Sequence, residues 1–228
     1  MVASRSPGIR SRADPVLPSI KAFPPEISAA LHARGVRRAW VDGTTVLAHG
    51  LVVPWVQVVL RGRLRITSPA TPGHEVFFRW QQPGEVVGLA SAVSGRPLPV
   101  DIVAFDDCVT LQVERDALLE MLRSDVCVAM SAAQLLAGYA YDLIELVTVR
   151  TEATLTHRVL GVLRHLAVLN GQPEGPGTWS LAISQRDVAA AVGASRQRVN
   201  AELRTLEREG LIELGYRRLR VHGVPSAA

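Results

Sequence analysis

The stretch ISQRDVAAAVGASRQRVNAELRTL, residues 183–206, sets the reading of the whole chain. Ser184 has the side chain of a helix N-cap, and Asp187 stands three positions on, where a capping-box partner reaches back. Val188, Ala191 and Val192 then recur at helical spacing. Gly193 falls where this first helix must stop, because glycine turns left-handed at no steric cost. Ser195 caps a second helix. Val199, Leu203 and Leu206 form its apolar stripe, and Arg196, Gln197, Asn200, Arg204 and Arg208 its wet side. Two short helices joined by a glycine-containing turn are a helix-turn-helix, whose second helix suits a DNA major groove. Beyond it, residues 211–214 and 219–221 alternate like strands around Gly215, Tyr216, Arg217 and Arg218. That pattern predicts a hairpin, or wing, with three arginines (Arg217, Arg218 and Arg220) near its tip.

The totals agree with this reading. A chain of 228 residues is one large or two small domains, and 48% hydrophobic content is ample for packed cores. The net charge of +4 is unevenly spread. Residues 1–22 carry four basic and one acidic residue, residues 23–149 ten and thirteen, and residues 150–228 eleven and seven. The positive excess of the folded part therefore travels with the helix-turn-helix, as phosphate neutralisation requires. Cys108 and Cys127 are the only cysteines and form no CxxC pair, so zinc or iron–sulfur spacing is absent. The first residues carry arginines without an apolar run, so no signal peptide is expected. Residues 126–147 are long enough to span a membrane, but Gln134, Asp142 and Glu145 argue against it.

In chain order, residues 1–22, rich in Ser, Arg and Pro, predict a disordered tail, and residues 26–34 a short amphipathic helix. From 39 to 113 short strands alternate with turns: 44–47, 53–60, 63–66, 75–80, 101–104 and 108–113, which suggests a sandwich or barrel. Asp116 reads as the cap of a helical region, and a long helix follows to about residue 149. Val128, Ala132, Leu135, Tyr139, Asp142 and Leu146 complete a heptad seam expected to face a twin helix. Leu136, Ala140, Leu143 and Val147 make a second apolar face. Residues 150–154 read as a hinge, 158–169 as a helix and 170–178 as a Gly/Pro-rich loop. The division expected is a tail (1–22), a barrel sensor (23–115), a dimerisation helix (116–149) and a winged-helix domain (150–228).

RDVAAAVGASRQRVNAELRTLEREGLIELGYRRLRVHG resembles the C-terminal domain of the CRP/FNR superfamily of bacterial transcription regulators. VDGTTVLAHG, VVLRGRLRI and PGEVVGLASAVSG are similar to the double-stranded β-helix sensor domain of the same superfamily. The fold implied is α+β: a cupin-like jelly-roll barrel, a long dimerisation helix and a winged helix-turn-helix. The implied partners are a palindromic DNA operator, a second copy of the chain, RNA polymerase and a small-molecule effector, with no membrane. No enzymatic activity and no cofactor are implied. Cyclic-nucleotide members carry glycine, glutamate and leucine, then arginine and a small hydroxyl residue about ten positions on. Here Gly88 is followed by Leu89 and Ala90, and the later positions fall on Leu98, Pro99 and Val100. Burying a phosphate against those would cost several kcal/mol without a charge partner. Arg96 lies nearby as a displaced substitute, and the long-helix positions that touch adenine fall near Leu143 and Ile144. The effector pocket expected is therefore Gly88, Leu89, Ala90, Arg96, Val100 and Leu143, holding an apolar or unknown effector other than cyclic AMP, or nothing.

For DNA, Arg196, Gln197 and Asn200 are the residues expected to read bases. Ser184, Gln185, Arg186, Ser195, Arg198, Arg217 and Arg218 are expected at phosphates, aided by helix N-termini. The family positions matching Gln197 and Ala201 are commonly glutamate and arginine, which implies a different half-site. Two other readings stand beside this one. One is a metal-dependent barrel enzyme with an appended DNA module, although His49 and His74 stand singly without an HxH pair; His74 or Cys108 would also serve formally as a haem ligand. The other is a ligand-binding or interaction module whose winged helix does not bind DNA.

Overall fold

The computed structural model describes residues 23, 25–68 and 76–224, so the expected tail and His74 lie outside the described residues. Helix α1 (Pro25–Arg34) leads into strands β1 (Val36–Trp40), β2 (Thr45–Leu47), β3 (Trp55–Thr67), β4 (Phe77–Gln81), β5 (Val86–Val87) and β6 (Asp101–Glu114), with the short helix α2 (Leu89–Ser94) before β6. They form one antiparallel sheet ordered β1-β6-β3-β4, with β2 on β6 and β5 on β3. Curled on itself, the sheet encloses Val56, Val58, Leu64, Ile102, Leu111 and Val113 in a jelly-roll core. Helices α3 (Arg115–Ser124), α4 (Val126–Arg150) and α5 (Leu155–Asn170) follow. The C-terminal unit adds β7 (Gln172–Gly175), β8 (Thr178–Leu181), α6 (Gln185–Val192), α7 (Arg196–Arg208), β9 (Ile212–Gly215) and β10 (Arg218–Val221). Its sheet runs β7-β8-β10-β9. The architecture is the α+β arrangement expected: barrel, long helix and winged helix-turn-helix.

Three local readings change. The segments 53–60 and 63–66 are one strand, β3, and 101–104 and 108–113 are one strand, β6. The pair stays continuous across a bulge, where the register shifts on either side of Arg61. Gly62 (φ 72°) and Asp106 (φ 54°) absorb the extra twist there. A turn signal in the sequence thus marks a kink inside a ladder. Residues 170–178, expected as a loop, contain the exposed edge strand β7, where Pro173 is tolerated. Asp116 lies in the first turn of α3, and Glu114 occupies the cap position.

The long helix also turns a different face inward than expected. Asp125 caps α4, accepting from the backbone N–H of Cys127 and Val128. Val128, Ala132 and Leu146 are buried, and Leu135 packs on the barrel core. The Tyr139 hydroxyl donates to the Val86 carbonyl at 2.8 Å, and Asp142 meets Arg79 at 2.6 Å. The seam expected to meet a twin helix is therefore covered within the protomer, by the barrel and, at Leu146, by the core shared with the C-terminal unit. The reason is chemical: Tyr139 and Asp142 need polar partners, and the barrel supplies them. The stripe left open is Met130, Ala133, Ala137, Ala140, Ile144 and Val147, spaced alternately by three and four. Met130, Ile144 and Val147 are 55%, 61% and 53% exposed. α4 is also long and apolar enough to cross a membrane by length and composition.

The two units share a core. Phe77 and Trp80 of β4 are fully buried among Leu163, Leu166, Val188 and Val192 of the C-terminal unit. The Arg150 guanidinium, at the end of α4, donates to Ala191 O on α6 at 2.7 Å and to Phe77 O at 3.1 Å. Arg65 of β3 reaches the Asp187 carboxylate of α6 at 3.0 Å, with both side chains largely buried.

A Cβ on Gly62 would stand 2.7 Å from the Asp107 carbonyl, on a backbone already at positive φ. Gly62→Ala is expected to lower the unfolding free energy by about 2 kcal/mol or more, measured by urea denaturation. An unchanged midpoint would mean that the bulge tolerates a side chain.

Candidate nucleic-acid interface and barrel cavity

The helix-turn-helix forms for the reasons its sequence states. The Ser184 hydroxyl accepts from Asp187 N at 3.1 Å and donates to the Asp187 carboxylate at 2.6 Å. Asp187 therefore answers the cap's hydroxyl, where a capping box would answer its backbone N–H, and its other oxygen goes to Arg65. Gly193 ends α6 in the left-handed region, its N–H on Ala189 O. The Ser195 hydroxyl accepts from Arg198 N at the start of α7. Val199, Leu203 and Leu206 are buried, which turns the opposite face of α7 outward.

On that outer face Arg196, Gln197, Arg198, Ala201 and Arg204 are exposed. Asn200 is half-buried, with an Oδ1 that has no hydrogen-bond partner among the described residues. A cleft of about 420 Å³ separates the N-termini of α6 and α7 from the wing, and Ser184, Gln185, Arg186, Arg196, Arg217 and Arg218 line it. Ser195, Gln197, Arg198 and Asn200 lie outside this cleft, along α7. The wing tip is Tyr216, 93% exposed, beside Arg217 in a positive-φ turn. Arg220, the third wing arginine, is neutralised: it meets Glu174 at 2.6 Å and Glu213 at 2.8 Å and holds both carboxyls below their usual range. Helix N-termini and clustered guanidinium groups give this face positive potential aimed at one cleft.

A second cavity, of about 640 Å³, lies between the barrel, α4 and α5. Gly88, Leu89, Ala90, Arg96, Val100 and Leu143 all line it. The sequence reading missed its inner end, where Arg79, Gln81, Tyr139, Asp142 and His165 stand. Arg79 is buried between two carboxylates, Glu85 at 2.7 Å and Asp142 at 2.6 Å. Burial pushes the Tyr139 hydroxyl and the Asp142 carboxyl up from their usual ranges and His165 down. One signal pointed here: a charged residue at a heptad position of an apolar helix needs a partner.

Among the described residues no group of three His, Cys, Asp or Glu side chains is placed to hold a metal. The His49 backbone N–H bonds the Asp101 carboxylate. Burial pushes the Cys108 thiol up to about 12, far from thiolate reactivity.

Comparison with known proteins matches both units. A model of the Crp-like helix-turn-helix domain matches residues 157–225, and one of the cyclic nucleotide-binding domain matches residues 37–125. The chain is 27% identical over 193 residues to the cyclic AMP receptor protein of Thermus thermophilus, covering 84% of this chain and 86% of that one. Among solved structures, FixK2 of Bradyrhizobium japonicum superposes with a TM-score of 0.71 at 21% identity, over 85% of this chain and 98% of that one. The c-di-GMP responsive global regulator CLP of Xanthomonas campestris gives 0.69 at 19% identity, over 86% and 99%. These two likenesses are of fold.

Asp187→Ala takes a carboxylate partner from the largely buried Arg65 and the hydroxyl partner from Ser184. Stability is expected to fall by about 3 kcal/mol, read by urea unfolding. A loss below about 0.5 kcal/mol would reduce the Arg65–Asp187 pair to a surface contact.

Proposed function

The chain belongs to the CRP/FNR family of transcription regulators, and on that premise we propose that it acts as a homodimer laying α7 of each protomer into successive major grooves of a palindromic operator. The observation that carries this reading is the cleft between two helix N-termini and the wing, where Ser184, Gln185, Arg186, Arg196, Arg217 and Arg218 converge. Arg196 suits guanine N7 and O6, and Gln197 and Asn200 suit adenine. Ser184, Gln185, Arg186, Ser195, Arg198, Arg217 and Arg218 take phosphates and set the register. Gln197 and Ala201 replace the glutamate and arginine common in the family, so the operator differs from the family's usual half-site.

The homodimer is supported by the open stripe on α4, from Met130 to Val147, whose three-four spacing fits a parallel twin. A membrane is a poor cover for this helix, because its opposite face holds Asp142 against Arg79. The division of work follows: residues 23–115 sense, 116–149 pair and 150–228 bind DNA. The protein acts in the cytoplasm, with RNA polymerase as a protein partner and no catalytic activity. The cavity between barrel and α4 holds a small-molecule effector. The Thermus relative is a receptor for cyclic AMP by name. Here Leu98, Pro99 and Val100 stand where the phosphate would need charge, so the effector is another molecule.

Arg196→Ala is expected to cost about 1–3 kcal/mol of operator binding and to relax preference at one base pair. Arg217→Ala is expected to weaken all sequences alike and to reduce the salt slope by about 1. Fluorescence anisotropy over a salt series separates the two, and a uniform loss for Arg196→Ala would move it to the phosphates. Ile144→Glu places like charges across the paired stripe, so sedimentation is expected to show monomers, with half-site affinity only. A variant that stays dimeric would place the interface elsewhere.

A further inference from the structure

The cavity between barrel, α4 and α5 has a chemistry that specifies its occupant. Its walls are largely aliphatic, among them Ile66, Val87, Leu98, Leu146 and Leu169. At its inner end one guanidinium serves two carboxylates, Arg79 lying between Glu85 and Asp142. One negative charge is left over. Glu85 is the better satisfied of the two: its second oxygen accepts from Gln82 N at 2.6 Å, and its side chain is 17% exposed. Asp142 is 27% exposed and meets Arg79 through Oδ2. Burial raises its carboxyl in spite of Arg79, which marks a charge short of partners.

Gln81 adds a second, independent sign. It lines the same cavity and is 2% exposed, yet its Oε1 has no hydrogen-bond partner among the described residues. Its amide group lies against the Tyr139 hydroxyl, which itself donates to Val86 O. Burial pushes the His165 imidazole down from its usual range, and its Nδ1 faces Glu145 at 3.3 Å. Arg96 is at the exposed rim, where solvent screens it. The inner end therefore offers acceptors and surplus negative charge inside apolar walls. An anion there meets like charge at low dielectric, whereas a cation with N–H donors completes the Arg79 cluster.

Given the reading of this cavity as the effector site, we propose that it takes a largely apolar molecule bearing a protonated amine, with the ammonium on Asp142 and Gln81. His165 and Leu169 come from α5, so such an occupant touches the barrel, the long helix and the DNA-binding unit at once.

The test is calorimetry on the full-length protein with 2-(1-naphthyl)ethylamine, 1-naphthylacetate and cyclic AMP as probes. The amine is expected to bind at least tenfold more tightly than the acetate. That preference is expected to fall below threefold in Asp142→Asn, and Gln81→Leu is expected to weaken the amine severalfold while leaving the acetate unchanged. Ala90→Trp, at the exposed rim, is expected to abolish binding while the melting curve keeps its shape. If Asp142→Asn does not fold, Gln81→Leu and Ala90→Trp decide alone. Tighter binding of the acetate or cyclic AMP, lost in Ala90→Trp, would overturn the amine and keep the cavity as the effector site. Amine binding indifferent to Ala90→Trp, or no binding by any probe, would overturn the effector site and the amine together.

Discussion

Phe77 and Trp80 belong to the barrel by chain order and to the winged-helix unit by packing. Their rings lie 4.4 Å apart, tilted, and close the core that Leu163, Leu166 and Val188 build from the other side. Burying two large aromatics contributes several kcal/mol, more than a surface ion pair supplies. The orientation of the DNA-binding unit is therefore set by apolar contact. Arg65 and Arg150 then fix the angle, because each hydrogen bond tolerates little rotation.

That joint was not legible in the sequence. The run from Phe77 to Trp80 reads as a strand, and nothing in it says that two of its rings leave the barrel core. The helix-turn-helix was legible nearly to the residue, because caps, a left-handed glycine and an apolar stripe are local signals. Ser184, Gly193 and Ser195 act where their chemistry places them. The paired strands β3 and β6 were harder. Gly62 and Asp106 look like turn residues, and only the cross-strand partner reveals that the ladder continues past them.

The long helix shows a subtler failure. It carries two apolar stripes of heptad spacing, and periodicity cannot say which meets the barrel. The decision rests on Tyr139 and Asp142, whose polar atoms find their partners on the barrel, at Val86 O and Arg79. A single carboxylate thus sorts the two faces. The same carboxylate leaves surplus charge in the cavity, so the geometry that orients the helix also shapes what the cavity accepts. Five of the cavity residues, Gly88 to Val100, were placed by resemblance to a family cassette, and Leu143 by resemblance along the long helix. The cavity's inner end was not, since Arg79 and Gln81 of β4, Asp142 of α4 and His165 of α5 are brought together from three separate elements.

Arg150 closes the account of α4. Twenty-five residues of helix form a rod about 37 Å long, rigid along its axis. Its last side chain grips the far end of α6 and the strand that bears Phe77. The rod's end is thus tied to both units at once, so any shift of that end is carried to α6 and β4 together.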